Sequence, residues 1–290
     1  MHNLGVTLSH RKLHEMQLSV DQALQQTLSM GFSYVRLCVY GDESIEAVTS
    51  FVQTCEQASQ PVIVTIGVKA PRWPEFYWPE TLTSHDLDDP VVQTQLLEFV
   101  TQTVGQLQHF RCIEFWQIEN EPLDPSGQQQ LQVPLSLLEQ EVSVVRSLDD
   151  RPIMLTAWGN DIIARDTLRL LSPVCDVLGV DLYPRQFTKK RFGRSNYIGP
   201  TASDKQLQTF LSSQTKPVWI SELQAEPWEK DEAAYRSDTP GSFSPETLRE
   251  NILWAKALVD TPILLFGWEY CLWRASLGDV RYLEALSFFD

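Results

Sequence analysis

The chain has 290 residues, 38 of them acidic and 23 basic, with a formal net charge of −15. That balance argues against nucleic acid or an anionic membrane as a partner, since both need a basic face, and an apolar fraction of 43% with nine Trp argues against disorder. No apolar run is long enough to span a bilayer, and five scattered cysteines without a Cys-x-x-Cys pair point to reduced thiols, not to disulfides or a metal.

The first apolar run covers residues 4–8, and no basic segment followed by an apolar one precedes it, so a cytoplasmic protein is expected. His10 and His14 follow, four apart but without a third ligand, and no metal site is expected there. Helical spacing over 20–30, an apolar run over 34–39 and helical spacing over 45–58 come next. The third run is Ser59-Gln60-Pro61-Val62-Ile63-Val64, a polar turn and a Pro before a β-branched stretch. The same pattern recurs at Asp150-Arg151-Pro152-Ile153-Met154-Leu155, Thr215-Lys216-Pro217-Val218-Trp219-Ile220 and Asp260-Thr261-Pro262-Ile263-Leu264-Leu265. Pro is tolerated at the first residue of a strand, and continuous apolar runs suit parallel strands covered on both faces. Runs at 112–118 and 177–182 complete a set of eight. Helical spacing separates them at 91–107, 134–148, weakly at 166–171, and again at 202–211 and 245–259. The last of these opens with a capping Ser244 before Pro245.

Eight strands alternating with helices predict an α/β protein, a (β/α)8 barrel in one domain over 1–290. A doubly wound open sheet would show a glycine-rich first turn, which is missing. Connections entering strands are short and those leaving them are long, so the site is expected at the carboxyl ends of the strands.

Two of those ends carry a glutamate: Glu121, in Gln117-Ile118-Glu119-Asn120-Glu121-Pro122, and Glu222, in Val218-Trp219-Ile220-Ser221-Glu222. Cleavage of a glycosidic bond needs two such carboxyl groups, one to protonate the departing oxygen and one to attack the anomeric carbon. Asn120-Glu121-Pro122 closing the fourth strand, with Glu222 closing the seventh, resembles the retaining glycoside hydrolases of clan A, the superfamily of cellulases, β-mannanases and β-galactosidases. The resemblance implies double displacement without a cofactor, with Glu121 as acid/base, Glu222 as nucleophile and Asn120 on the substrate 2-hydroxyl. It further implies that Arg36 keeps the nucleophile ionised, that Tyr183 hydrogen-bonds it, and that Trp268, after the eighth strand, lies under the sugar ring. Two adjacent residues of a regular strand cannot both face the cleft, so an irregular strand end at Asn120-Glu121 is implied as well.

The chain departs from the family at Asp181, where many relatives carry His two residues before the tyrosine, and at the fifth strand end, where Trp158 and Asn160 replace histidines. Trp158 reads as a substrate contact. The aromatic loop Pro71-Arg72-Trp73-Pro74-Glu75-Phe76-Tyr77-Trp78-Pro79 reads as cleft wall, with Trp73 and Trp78 as sugar-stacking candidates; Trp228 is another. Alternation turns Glu119 away from the cleft, and residues 185–194, with five basic side chains and no acid, read as a solvated loop. The alternative readings are a catalytically silent barrel that binds carbohydrate or regulates a partner, and a metal-dependent hydrolase or lyase, for which His and Asp clusters are lacking.

Overall fold

The computed structural model describes residues 3–189 and 195–289. Its strands are β1 (Leu4–Thr7), β2 (Val35–Cys38), β3 (Val62–Ile66), β4 (Ile113–Ile118), β5 (Ile153–Trp158), β6 (Val177–Leu182), β7 (Gln186–Lys189), β8 (Ser195–Ile198), β9 (Val218–Gln224) and β10 (Ile263–Phe266). Eight of them close into a barrel in the order β1-β10-β9-β6-β5-β4-β3-β2. Every neighbouring pair in the barrel is parallel. The eight predicted apolar runs are these eight strands. The fold is therefore a (β/α)8 barrel.

The helices are α1 (His10–Glu15), α2 (Val20–Ser29), α3 (Glu46–Gln57), α4 (Pro90–Leu107), α5 (Leu135–Leu148), α6 (Thr167–Leu171), α7 (Asp204–Ser212), α8 (Glu232–Tyr235), α9 (Pro245–Leu258), α10 (Trp268–Ser276) and α11 (Arg281–Leu286). Side-chain caps start several of them: Asp89 accepts from Val91 N ahead of Pro90, and Ser244 accepts from Thr247 N ahead of Pro245. The antiparallel pair β7–β8, in the loop leaving β6, was not expected. Of the basic stretch it belongs to, Lys190, Arg191 and Arg194 lie outside the described residues.

Side chains two apart on a strand share a face, and this alternation stacks the barrel interior in layers. The lower layer is apolar, built from Ile63, Met154, Val177, Trp219 and Leu264 with Tyr34 and Phe115 packed against them. Phe115 and Tyr34 lie 4.9 Å and 5.2 Å from the Trp219 ring. Two residues further along the same strands come Arg36, Thr65, Gln117 and Thr156, with Phe266 beside them, so a largely polar layer sits directly above the aromatic plug.

Among the described residues no helix is long and apolar enough to cross a membrane, and no group of three or more His, Cys, Asp or Glu side chains could hold a metal ion. His10 instead contacts Glu43 at 2.5 Å.

Candidate active site

Glu222 reaches the barrel interior through a bulge. Between β6 and β9, Val180 pairs with Ile220 but Asp181 pairs with Glu222, so β9 carries one extra residue at Ser221. The register against β10 slips at the same place. An extra residue reverses the side-chain alternation beyond it, which places Glu222 opposite Asp181 and facing inward.

Both Glu222 oxygens are held: Arg36 Nη2 donates to Oε1 and Tyr183 OH donates to Oε2. Arg36 is fully buried and its fork is spread over three strands, with Nε donating to Thr7 Oγ1 (2.9 Å) and Nη1 to Gln117 Oε1 (3.3 Å). Burial, together with the negative charge of Glu222, pushes the Tyr183 phenol well above its ordinary range, so it remains a donor.

Glu121 arrives by a different irregularity. Glu119 and Glu121 both have left-handed backbone, with φ of 56° and 45°, a conformation that L side chains adopt only under constraint. The constraints are visible. The Glu119 carboxylate turns away from the cavity and accepts the N–H groups of Val68 and Lys69, packed so closely on Gly67 that a Cβ there would lie 2.3 Å from Glu119 Cδ. Lys69 is buried and its ammonium donates to the carbonyls of Glu121 and Asp124, each at 2.6 Å. Glu121 N donates to Thr156 Oγ1 (2.8 Å). Between the two, Asn120 is buried and its Oδ1 accepts from Gln117 Nε2 (3.1 Å).

Asn120, Glu121, Tyr183 and Glu222 border one cavity of about 530 Å³. Burial and then the charge of Glu222 push the Glu121 carboxyl up to about 8, with Lys69 opposing. Asp181 is fully buried and rises well above the usual carboxylate range, through burial and then the charges of Glu222 and Glu121.

The aromatic wall differs in part from expectation. Trp158 stacks on Tyr183 (5.4 Å, 17°), and Trp228 stands edge-on to Tyr183 (5.1 Å, 80°); both rings border the cavity, as does Trp73, 63% exposed. Trp78 does not border it: its indole stacks between Phe76 and His85, at 5.4 Å and 4.4 Å. Trp268 does not border it either. β10 ends at Phe266, Gly267 takes φ of 102°, and Trp268 begins α10 on the outer side of the barrel. There its buried indole packs edge-on against Phe32 (5.2 Å) and donates to Thr27 Oγ1 on α2 (2.8 Å). The aromatic ring at the eighth strand end in the cavity is Phe266, and the Arg72 guanidinium lies 4.5 Å from its centroid.

Arg72 was not anticipated. It bridges Glu226 (3.0 Å) and Glu269 (2.6 Å), and Tyr235 OH donates to Glu226 (2.8 Å). Lys69, Thr7 and Thr156 were missed as well; Thr156 lies two residues before Trp158 on β5 and shares its face, a signal that was present in the alternation. The rim is acidic, with Glu15, Glu75, Glu226, Glu229, Asp231 and Glu232 against Lys12 and Arg72.

No family model matches the chain and no curated protein matches it. Solved structures do match. An FMN-binding β-glucuronidase from Faecalibacterium prausnitzii L2-6 superposes with a TM-score of 0.60 at 19% identity, over 91% of this chain and 37% of that one. GH5_18 from Streptomyces cattleya, solved with GlcNAc, gives 0.64 at 14% identity, over 91% and 70%. The exo-β-1,4-mannosidase of Opitutaceae bacterium strain TAV5 gives 0.62 at 13% identity, over 90% and 51%. The matched part of this chain thus spans 37% of the first and about half of the third. At such identities the likeness carries the barrel fold that this chain has in common with these glycoside hydrolases.

Proposed function

We propose that the chain is a β-glycosidase that retains anomeric configuration by double displacement. The observation that supports this best is the unequal treatment of two carboxyl groups bordering one cavity. Glu222 has both oxygens occupied by Arg36 and Tyr183, whereas Glu121 is pushed up to about 8 and carries its proton at neutral pH. Environments that separate two carboxyl groups in this way assign an acid and a nucleophile.

In the first step Glu222 attacks the anomeric carbon while Glu121 protonates the leaving oxygen. The ester that forms cancels the Glu222 charge, which removes one cause of the high Glu121 value, and Glu121 ionises to serve as base for water. Asn120, whose Oδ1 accepts from Gln117, holds the 2-hydroxyl in this reading, and Trp158, Trp228 and Trp73, which border the cavity, serve C–H stacking. Six rim carboxylates against two basic groups repel a carboxylated sugar. A neutral oligosaccharide or small glycoside, closer to what the mannosidase neighbour's name implies than to a uronide, is the favoured substrate. Such a substrate suits a cytoplasmic enzyme.

The test is the configuration of the first-formed sugar from an aryl β-glycoside, read by NMR before mutarotation: β is expected. Glu222→Gln is expected to lower turnover by about 10⁴-fold or more. An α product, or near wild-type rates in that variant, refutes the reading.

A further inference from the structure

Asp181 stands where relatives were expected to carry a histidine, and its surroundings give it a task. It is fully buried on β6, paired in register with Glu222. Its Oδ1 accepts from Ser221 Oγ (2.5 Å), whereas no donor among the described residues reaches Oδ2. Glu121 Oε1 is likewise buried without a donor, and the two carboxyl groups are near enough that each acts on the charge of the other. Two carboxylate oxygens cannot hydrogen-bond one another; one of them must carry a proton. Leaving both buried and bare is the costly alternative. The groups facing Asp181 are Glu222, Glu121, Arg36 and Ser221, and the one cation among them, Arg36, is engaged by Glu222.

We propose that Asp181 is a positioning residue that remains a neutral acid throughout the reaction and donates a hydrogen bond to Glu121 whenever Glu121 is ionised. The inference rests on the retaining glycosidase reading. In the first step the Glu121 proton passes to the leaving oxygen as the glycosidic bond breaks, and Asp181 steadies the carboxylate left behind. In the second, water oxygen bonds the anomeric carbon, the ester bond returns its electron pair to Glu222, and the water proton passes to Glu121. Asp181 keeps its own proton in both. A donor to the anion makes Glu121 a stronger acid than burial beside Glu222 alone would allow.

The readout is the alkaline limb of kcat/KM against pH, for wild type, Asp181→Asn and Asp181→Val. Asn preserves a donor toward Glu121 and an acceptor for Ser221, so the limb is expected to stay within about half a pH unit of wild type. Val removes the donor, and the limb is expected to rise by about one to two pH units. A limb that falls in Asp181→Asn means that Asp181 was charged and overturns the proposal, as does an unmoved limb in a folded Asp181→Val. A purely structural role would lower rates without moving the limb. Should wild type cleave no aryl glycoside, the glycosidase reading fails, and infrared spectroscopy tests Asp181 separately. A carboxylic-acid carbonyl component at pH 7 that is present in wild type and missing from Asp181→Asn supports the neutral acid; an unchanged carboxylic-acid band in that variant overturns it.

Discussion

The protonation of Glu121 gives the sharpest prediction. Its carboxyl rises from 4.5 to about 8, which at about 1.4 kcal/mol per tenfold change is roughly 5 kcal/mol in favour of the acid over its anion. At pH 7 an ordinary glutamate would be protonated in roughly 0.3% of molecules and this one in roughly 90%, so the site holds about 300 times more of the competent acid. Two assays follow. The alkaline limb of kcat/KM in the free enzyme is expected near pH 8. Stability carries the same signature: because the folded value is raised, the contribution is complete below about 4.5 and is lost as pH climbs toward about 8. Glu121→Gln cannot ionise, so its Tm is expected to fall less than wild type over that interval. An external nucleophile such as azide is expected to restore turnover to Glu121→Ala on an aryl glycoside with a good leaving group, because neither step then needs Glu121. A limb at or below pH 6, with parallel Tm profiles for wild type and Glu121→Gln, would refute the reasoning.

Arg36→Met leaves Glu222 buried without its cation, and removing one partner of a buried pair is expected to cost about 3–5 kcal/mol in urea unfolding together with most of kcat/KM; stability within 1 kcal/mol of wild type would show that the pair matters little. Tyr183→Phe deletes one hydrogen bond to a charged group, about 1.5–3 kcal/mol, so kcat/KM is expected to drop about 10- to 100-fold with the fold intact by circular dichroism. An aryl β-glucuronide is expected to react at least about tenfold more slowly than the matching glucoside, and added salt to narrow that gap by screening the rim; equal rates would remove the charge argument.

The barrel was legible because its signals are local. A polar turn, a Pro and an apolar run open four of the eight barrel strands, and strands buried on both faces show no alternation to confuse with a helix. Glu121 and Glu222 stood out for the same reason, each closing an apolar run, and the break in alternation at Asn120-Glu121, implied by the family resemblance, appears as left-handed backbone at Glu119 and Glu121. Trp268 shows the opposite case. It lies two residues beyond the last strand residue, and the single left-handed Gly267 sends it outward and leaves Phe266 in the cavity; a one-residue turn leaves no periodicity to read.

What the order of residues determined by itself was the eight barrel strands, their closed parallel architecture and the two strand ends that bear carboxyl groups. Tertiary structure alone decided how those groups differ. The bulge at Ser221 aims Glu222, three strands converge on the Arg36 fork, and Lys69 pins the turn that presents Glu121. The neutrality of Asp181 depends on burial and on the charge of Glu222, which follows it by 41 residues in the chain. Hydrophobic pattern is set by near neighbours, whereas desolvation and charge pairing depend on groups that only the closed barrel brings together.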